Sequence, residues 1–169
     1  MNNKKNIGIF FGSDTGNTEF VAKLIQKTLY PKQSLLYEIN NTKKKDIESC
    51  KILFFGISTW YYGDMQCDWE DFLPILQTIN FHNKKIALFG CGDQEDYSEY
   101  FCDAMGLLYK ILKSKKVEII GQWSTKGYYH TSSKAEIKKN VFCGLTIDID
   151  RQPKLTKLRV KKWIKNLRI

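Results

Sequence analysis

Apolar and polar positions along the chain form two alternating patterns. Short, nearly continuous apolar runs predict buried parallel strands, because such strands are covered on both faces. Longer segments in which apolar residues recur every three or four positions predict amphipathic helices. The predicted strands span 7–11, 35–39, 51–57, 85–90 and 117–121, and the predicted helices span 20–29, 69–76, 97–113 and 153–167. This alternation predicts an α/β fold in which a parallel sheet lies between two layers of helices.

The segment 123–145 interrupts this alternation. It mixes aromatic and polar residues without a clear period, and the apolar pattern returns only in the sequence GLTIDID that begins at Gly144. Structureless segments of this length are uncommon inside a compact domain, so we interpret 123–145 as an insertion. The chain shows no internal repeat, low-complexity stretch or linker, and one domain is expected over residues 1–169.

The turn between the first predicted strand and helix is rich in small and polar residues. It begins at Gly12 and contains the candidate ligand residues Ser13, Asp14, Thr15, Gly16, Asn17 and Thr18. Unpaired backbone N–H groups and the positive end of the helix dipole meet at such a position, which therefore suits an anion such as a phosphate. The same residue types also begin helices as ordinary N-caps, and the turn taken alone leaves both interpretations open.

Two common phosphate-binding signatures are missing from this turn. A nucleoside-triphosphate loop needs G-x-x-x-x-G-K-[ST], whereas Gly12 and Gly16 are four residues apart and Asn17 stands where a lysine is needed. The dinucleotide fingerprint G-x-G-x-x-G is absent as well. A terminal monophosphate held by neutral donors remains as the expected ligand group.

Two further loops are expected beside this turn, because ligands of open parallel sheets bind beyond the carboxyl ends of the strands. These loops span 58–69 and 91–101, and they contain the large aromatic residues Trp60 and Tyr97. Each ring by itself is equally consistent with packing on its own loop. Together with the turn, the two rings favour a phosphorylated planar heterocycle as the ligand.

The net charge of +9 is unevenly distributed. Between Ser58 and Asp103 nine acidic residues oppose two lysines, whereas the last nineteen residues carry eight Lys or Arg and no acid. A basic excess raises nucleic acid as a partner, but no nucleic-acid-binding motif accompanies it, and the tail has the spacing of an amphipathic helix with a solvated basic face. No nucleic-acid partner is therefore expected.

The cysteines and the amino-terminal segment bear on location. The five cysteines, at positions 50, 67, 91, 102 and 143, form no CxxC pair and no zinc spacing. This scatter is typical of reduced thiols in a cytosolic protein, and no metal site is expected. The apolar run within residues 1–12 is too short for a secretion signal, and no stretch approaches a membrane span. A cytoplasmic location without a membrane partner is expected.

Three motifs in order carry a family resemblance. The sequences FFGSDTGNT, STWYYGDMQCDW and LFGCGDQEDYSEYFCDAMG, followed by GLTIDIDRQPKLT, closely resemble flavodoxin, and the insertion resembles that of the long-chain group. The resemblance covers nearly the whole chain. It implies a three-layer α/β/α sandwich with a five-stranded parallel sheet of order 2-1-3-4-5, flavin mononucleotide (FMN) as the cofactor, and one-electron transfer as the activity.

The resemblance also implies which residues bind the cofactor. The phosphate would lie on Ser13 to Thr18, and the isoalloxazine ring between Trp60 and Tyr97. The other implied contacts are Thr59, Tyr61, Tyr62 and Gly63 at the ring edge with Ser58 beside them, Cys91, Gly92 and Asp93 at the pyrimidine side, and Asp150 near the ribityl chain.

As a flavodoxin, the protein would be a monomeric, low-potential carrier of single electrons. It would pass them from a ferredoxin/flavodoxin-NADP reductase-type donor to acceptor enzymes, and no catalytic residue is expected because the flavin carries the chemistry. Flavodoxins are usually acidic, and the charge of +9 departs from that pattern. We expect partners to recognise the acidic segment 58–103, with the basic excess on the far side.

Alternative functions differ in what they require of the sequence. A pyridine-nucleotide-dependent FMN reductase on the same fold remains the alternative, although Tyr97 stacked on the flavin would obstruct a nicotinamide. A low-molecular-weight phosphatase needs Cys-x5-Arg, and no arginine follows Cys91 at that spacing. A response-regulator receiver needs several acids at the end of the first strand, where only Asp14 is present.

Overall fold

A central parallel sheet organises the computed structural model, which describes residues 7–169. The strands are β1 (Ile7–Phe11), β2 (Ser34–Glu38), β3 (Ile52–Trp60), β4 (Asp64–Met65), β5 (Lys85–Cys91), β6 (Glu118–Ile120), β7 (Trp123–Ser124), β8 (Glu136–Lys138), β9 (Val141–Phe142) and β10 (Leu145–Ile147). The α-helices are α1 (Asn17–Leu29), α2 (Lys44–Glu48), α3 (Cys67–Thr78), α4 (Asp103–Ser114) and α5 (Pro153–Leu167).

Five strand positions make up the parallel part of the sheet. β2, β1, β3 and β5 lie side by side in that order. β6 pairs with the first residues of β5 and β10 with its last residues, so these two short strands together occupy the fifth position. The order of positions is therefore 2-1-3-4-5, and the predicted fold class is confirmed.

The two faces of the sheet explain why the strands are so apolar. Ile9 and Phe54 face one side, where they pack with residues of α1 and α5 such as Val21 and Trp163. Phe10 and Phe55 face the other side and pack with residues of α3 and α4. Because successive side chains of a strand point to opposite faces, an unbroken apolar run is needed to fill both layers.

The segment between β6 and β10 leaves the main sheet. Its strands form a separate three-stranded antiparallel sheet of order β7-β9-β8. The strands are only two or three residues long and carry polar residues, which is why the sequence pattern predicted no element there. The described chain thus contains a small second sheet inserted within the fifth strand position.

One predicted helix begins later than expected. The spacing predicted a helix over 97–113, but Ser98–Tyr100 form a 3-10 turn and α4 begins at Asp103. The backbone of Cys102 is left-handed at φ 55°, which interrupts any helix, and the carbonyl of Ser98 accepts hydrogen bonds from the N–H groups of Thr131 and Ser132 at 2.9 and 3.1 Å. Long-range contacts with the inserted segment therefore override the helical period.

Two sequence expectations concern membranes and secretion. Among residues 7–169, none of the helices combines the length and the apolar character that crossing a membrane requires. Of the segment considered for a secretion signal, residues 1–6 lie outside the described residues.

Two lysines, one at the start of α2 and one directly after α4, complete the carboxyl end of α3. The Nζ atoms of Lys44 and Lys115 donate to the carbonyls of Thr78 and Gln77 at 2.8 and 2.7 Å. The other two terminal carbonyls accept from the Thr78 hydroxyl and from the N–H of Ile79. All four carbonyls that lack an intrahelical partner are thus satisfied, and two lysines of the basic excess have a structural role.

We expect Lys44→Met and Lys115→Met each to lower the free energy of unfolding by about 0.5–1 kcal/mol, because each change removes a charged donor from the negative end of α3. Urea unfolding measures the effect. Lys45→Met is the matched control, since the Lys45 ammonium makes no hydrogen bond or ion pair with residues 7–169. Equal losses in all three variants would contradict the capping role.

Candidate functional site

A groove of about 260 Å³ lies at the carboxyl ends of β1, β3, β5 and β10. Its walls come from the turn before α1 and from the segments that follow the other three strands. The residues that line it are Thr15, Asn17, Ser58, Thr59, Trp60, Tyr61, Cys91, Gly92, Asp93, Tyr97, Tyr100, Ile149 and Asp150. The groove lies at the edge of the sheet where the sequence predicted a ligand.

The turn before α1 leaves the start of the helix without a side-chain cap. The N-cap residue is Gly16, which has a left-handed backbone at φ 91° and can supply no capping side chain. The Ser13 hydroxyl accepts a hydrogen bond from the Gly16 N–H at 3.1 Å, so this hydroxyl closes the turn. The polar residues of the turn are therefore not used as an N-cap, which was the competing interpretation.

Thr18 is the most informative residue of this turn. Its side chain is 1% exposed, and its hydroxyl, which lies beside the Cys91 thiol, is unpartnered in the sense that no oxygen or nitrogen atom of the described residues hydrogen-bonds it. Such a buried hydroxyl costs roughly 1–3 kcal/mol, which a ligand oxygen that accepts its proton would offset. The first N–H groups of α1 and the Thr18 hydroxyl are neutral donors in the turn where the sequence predicts an anion.

A tight hairpin between β3 and β4 shapes the second wall. The Gly63 N–H donates to the Trp60 carbonyl at 3.1 Å, and the turn holds Tyr61 at φ 45° and Gly63 at φ 102°. A Cβ atom at Gly63 would lie 2.8 Å from Oδ2 of the buried Asp103, so glycine is required there for space as well as for conformation. Trp60 is held in turn by a 3.1 Å hydrogen bond from its Nε1 to the Ser58 hydroxyl.

The third wall is the loop that follows β5, and hydrogen bonds of Gln94 hold this loop in place. The N–H and Nε2 of buried Gln94 both donate to Oδ2 of Asp148 at 2.9 Å, and its Oε1 accepts from the N–H of Tyr129 at 2.7 Å. Burial raises the pKa of the Cys91 thiol to about 12, so Cys91 presents a neutral thiol to the groove. Tyr97 follows this anchor and is 49% exposed.

Several acidic side chains in and beside the site form ion pairs with basic residues. The guanidinium of Arg151 contacts carboxylates of Asp93, Glu95 and Asp96, and Lys134 pairs with buried Asp103 at 3.1 Å. Burial alone would raise the pKa of Asp93, but hydrogen bonds from Arg151 and from two backbone N–H groups outweigh it and lower that pKa. Arg151 and Lys134 both lie outside the acidic segment 58–103, and they reduce its excess of seven negative charges to five.

The structure brings eleven of the seventeen candidate residues into the groove lining. Ser13, Gly16 and Thr18 support it from within the turn, and Gly63 belongs to the hairpin. The Tyr62 ring contacts Tyr100 edge to face at 5.7 Å, and Asp14 accepts from Nε2 of Gln66 at 3.1 Å outside the groove.

Sequence reasoning missed two lining residues and one neighbour. Ile149 immediately precedes Asp150 in the alternating GLTIDID pattern, and Tyr100 follows Tyr97 by three residues, which is the spacing of one 3-10 turn. These two spacings were the sequence signals that could have identified both residues. Arg151 gave no such signal, because its acidic partners lie 55 to 58 residues away along the chain.

Comparisons with known proteins agree with this architecture. The family model described as flavodoxin matches residues 9–163. A flavodoxin of Buchnera aphidicola from Acyrthosiphon pisum is 61% identical over 163 residues, which cover 96% of this chain and 95% of that protein. Flavodoxin 1 of Escherichia coli K12 is 53% identical over 160 residues, which cover 95% of this chain and 91% of that protein.

A solved structure shares the fold closely. The crystal structure of Fusobacterium nucleatum flavodoxin bound to flavin mononucleotide has a TM-score of 0.91, at 30% identity and with 97% of each chain covered. The family match over most of the chain, the identities above 50% and this structural likeness lead to one conclusion: this chain belongs to the flavodoxin family.

Proposed function

We propose that this protein is a low-potential one-electron carrier with non-covalently bound FMN, which shuttles electrons from a ferredoxin/flavodoxin-NADP reductase-type donor to acceptor enzymes. Flavodoxins are electron-transfer proteins rather than enzymes, and relatives with solved structures contain FMN. The observation that carries the proposal is the uncapped start of α1 beside the unpartnered Thr18 hydroxyl, at one end of a groove lined by Trp60 and Tyr97.

The residues present fit FMN group by group. The N–H groups at the start of α1 and the Thr18 hydroxyl would hold the phosphate, with Thr15 and Asn17 beside it. Trp60 and Tyr97 would flank the isoalloxazine ring, and Asp150, which also lines the groove, would lie near the ribityl chain. FMN supplies the redox chemistry when it is bound, and the protein binds it, orients it and sets its electrostatic surroundings.

Those surroundings favour a low potential. Asp93 and Asp150 line the groove, and no Lys or Arg is among the described residues that line it. Fully reduced flavin is an anion at neutral pH, so nearby carboxylates and the uncompensated phosphate oppose it. At an effective dielectric constant of about 20, one like charge about 8 Å away costs about 2 kcal/mol before screening by salt.

We also propose that the protein acts as a monomer in the cytoplasm, without nucleic acid or membrane as a partner. Its cysteines are thiols, four of them buried, which supports a reducing compartment. The exposed aromatic residues Tyr61, Tyr62 and Tyr97 belong to the loops that form the groove, where an electron-transfer partner must approach.

Stepwise photoreduction of the FMN-loaded protein tests the proposal. We expect two one-electron steps with separated potentials, the second well below that of free FMN, because the carboxylates oppose the last negative charge. We also expect no rapid NADPH oxidation by the protein alone, since Tyr97 lines the groove and, when stacked on the flavin, would obstruct a nicotinamide. Fast NADPH oxidation without a reductase would favour the FMN reductase instead.

A further inference from the structure

We propose that Arg151 is a positioning residue, which holds the loop 93–96 against the groove and partly neutralises the carboxylates of that loop. We call this set of contacts the clasp. The inference rests on the proposed function where it concerns FMN. The guanidinium Nε lies 3.2 Å from both carboxylate oxygens of Asp93, and Nη2 lies 2.9 Å from Oδ2 of Asp93. Nη2 also donates to Asp96 at 2.6 Å, and Nη1 lies 3.3 Å from Glu95.

The clasp is built on four consecutive residues. Asp148 is fully buried and holds the loop from below through Gln94, while its Oδ1 accepts the backbone N–H of Arg151 at 2.9 Å. Ile149 and Asp150, between them, line the groove. The segment 148–151 therefore holds the loop at two points, Gln94 through Asp148 and the carboxylates through Arg151, and it also lines the groove.

The geometry also explains why an arginine suits this position. A planar guanidinium presents several N–H groups in fixed directions, so one side chain can bind three carboxylates at once, whereas a lysine ammonium acts as a single point charge. Asp93 in turn accepts the N–H groups of Glu95 and Asp96 at 2.8 and 3.0 Å, which shapes the turn before Tyr97. Without the arginine, three carboxylates would repel one another in a loop of four residues.

Two consequences follow for the groove. The loop that leads to Tyr97 should loosen when Arg151 is removed, because its acidic side chains would move apart. The three carboxylates and one guanidinium leave two net negative charges beside the groove, and removal of Arg151 would leave three. The second electron should then be harder to add to bound FMN.

Arg151→Gln tests both consequences, with Lys154→Gln as the matched control. Lys154 is exposed, lies three residues away, and makes no ion pair within residues 7–169, so its substitution changes the net charge equally. In the FMN-free protein we expect amide hydrogen exchange at Glu95 and Asp96 to be roughly fivefold faster in Arg151→Gln than in Lys154→Gln. Equal exchange in the two variants would overturn the clasp, whether or not the protein binds FMN.

Measurements on the FMN-loaded protein distinguish the effect of the Arg151 charge from the effect of its hydrogen-bond geometry. We expect Arg151→Gln to weaken FMN binding roughly fivefold and to lower the potential of the second step more than Lys154→Gln does. Arg151→Lys keeps the charge and loses the planar donor set, so it should keep a near-native potential and still show faster exchange at Glu95 and Asp96. An unchanged second potential in Arg151→Gln would overturn the neutralising role. Failure of the unsubstituted protein to bind FMN would count against the proposed function. The hydrogen-exchange rates of the FMN-free variants would still decide whether the clasp exists.

Discussion

Riboflavin is expected to bind at least about 100-fold more weakly than FMN, because it lacks the phosphate that the turn before α1 is proposed to hold. Each hydrogen bond to a charged group contributes about 1.5–3 kcal/mol, and two such bonds suffice for this ratio. Quenching of flavin fluorescence on addition of the protein without its cofactor gives both dissociation constants. Equal affinities would remove the role assigned to Ser13 to Thr18.

Thr18→Val sharpens this prediction, since it removes the unpartnered hydroxyl and keeps the branched shape. We expect FMN affinity to fall by about tenfold, whereas riboflavin affinity should stay the same. Thr28→Val is the matched control on the same helix, because the Thr28 hydroxyl donates to the Leu24 carbonyl at 2.7 Å, toward the far end of α1. A parallel loss for both flavins in Thr18→Val would indicate disturbed packing instead of a lost phosphate contact.

Gly106→Ala is expected to lower the free energy of unfolding by about 1–2 kcal/mol. A Cβ atom on Gly106 of α4 would collide with the carbonyl group of Lys134 and lie 2.5 Å from the N atom of Ala135. These are backbone atoms of the inserted segment, which cannot turn aside as a side chain can, and overpacking of this kind costs about 1–3 kcal/mol. The usual gain from alanine in a helix, about 1 kcal/mol, offsets only part of the loss.

Denaturant unfolding of Gly106→Ala and Gly90→Ala measures this effect. Gly90 is the control because its added Cβ would meet side-chain atoms of Met105 at 3.1 and 3.2 Å, which can shift by a few tenths of an ångström. We expect Gly90→Ala to cost clearly less. A Gly106→Ala protein as stable as the original would show that the inserted segment can move off α4 without loss.

The pairing of Arg151 and Lys134 with acids changes how the charge of the protein is understood. The sequence predicted an acidic segment near the proposed flavin site and a basic excess elsewhere, whereas two basic residues from outside that segment bind its carboxylates. The lysines at the end of α3 likewise have structural partners. A net charge of +9 is therefore compatible with a groove whose own lining carries acids and no cation.

By itself, the sequence determined the parallel sheet and its two helical layers, and it predicted the edge of the sheet at which the groove lies. Apolar runs that must be buried on both faces are a local signal, and so is a polar turn between a strand and a helix. The three motifs also carried the family resemblance, which the comparisons confirmed.

Only the tertiary structure decided how the groove is held. The unpartnered Thr18 hydroxyl, the late start of α4, and the contacts of Arg151 and Gln94 all depend on residues brought together from distant parts of the chain. The strands of the inserted sheet are only two or three residues long, too short to show a period, and the inserted segment packs closely on α4 at Gly106. Hydrophobic periodicity reports which face of an element is buried, but a hydrogen bond or an ion pair between distant segments leaves no periodic trace in the sequence.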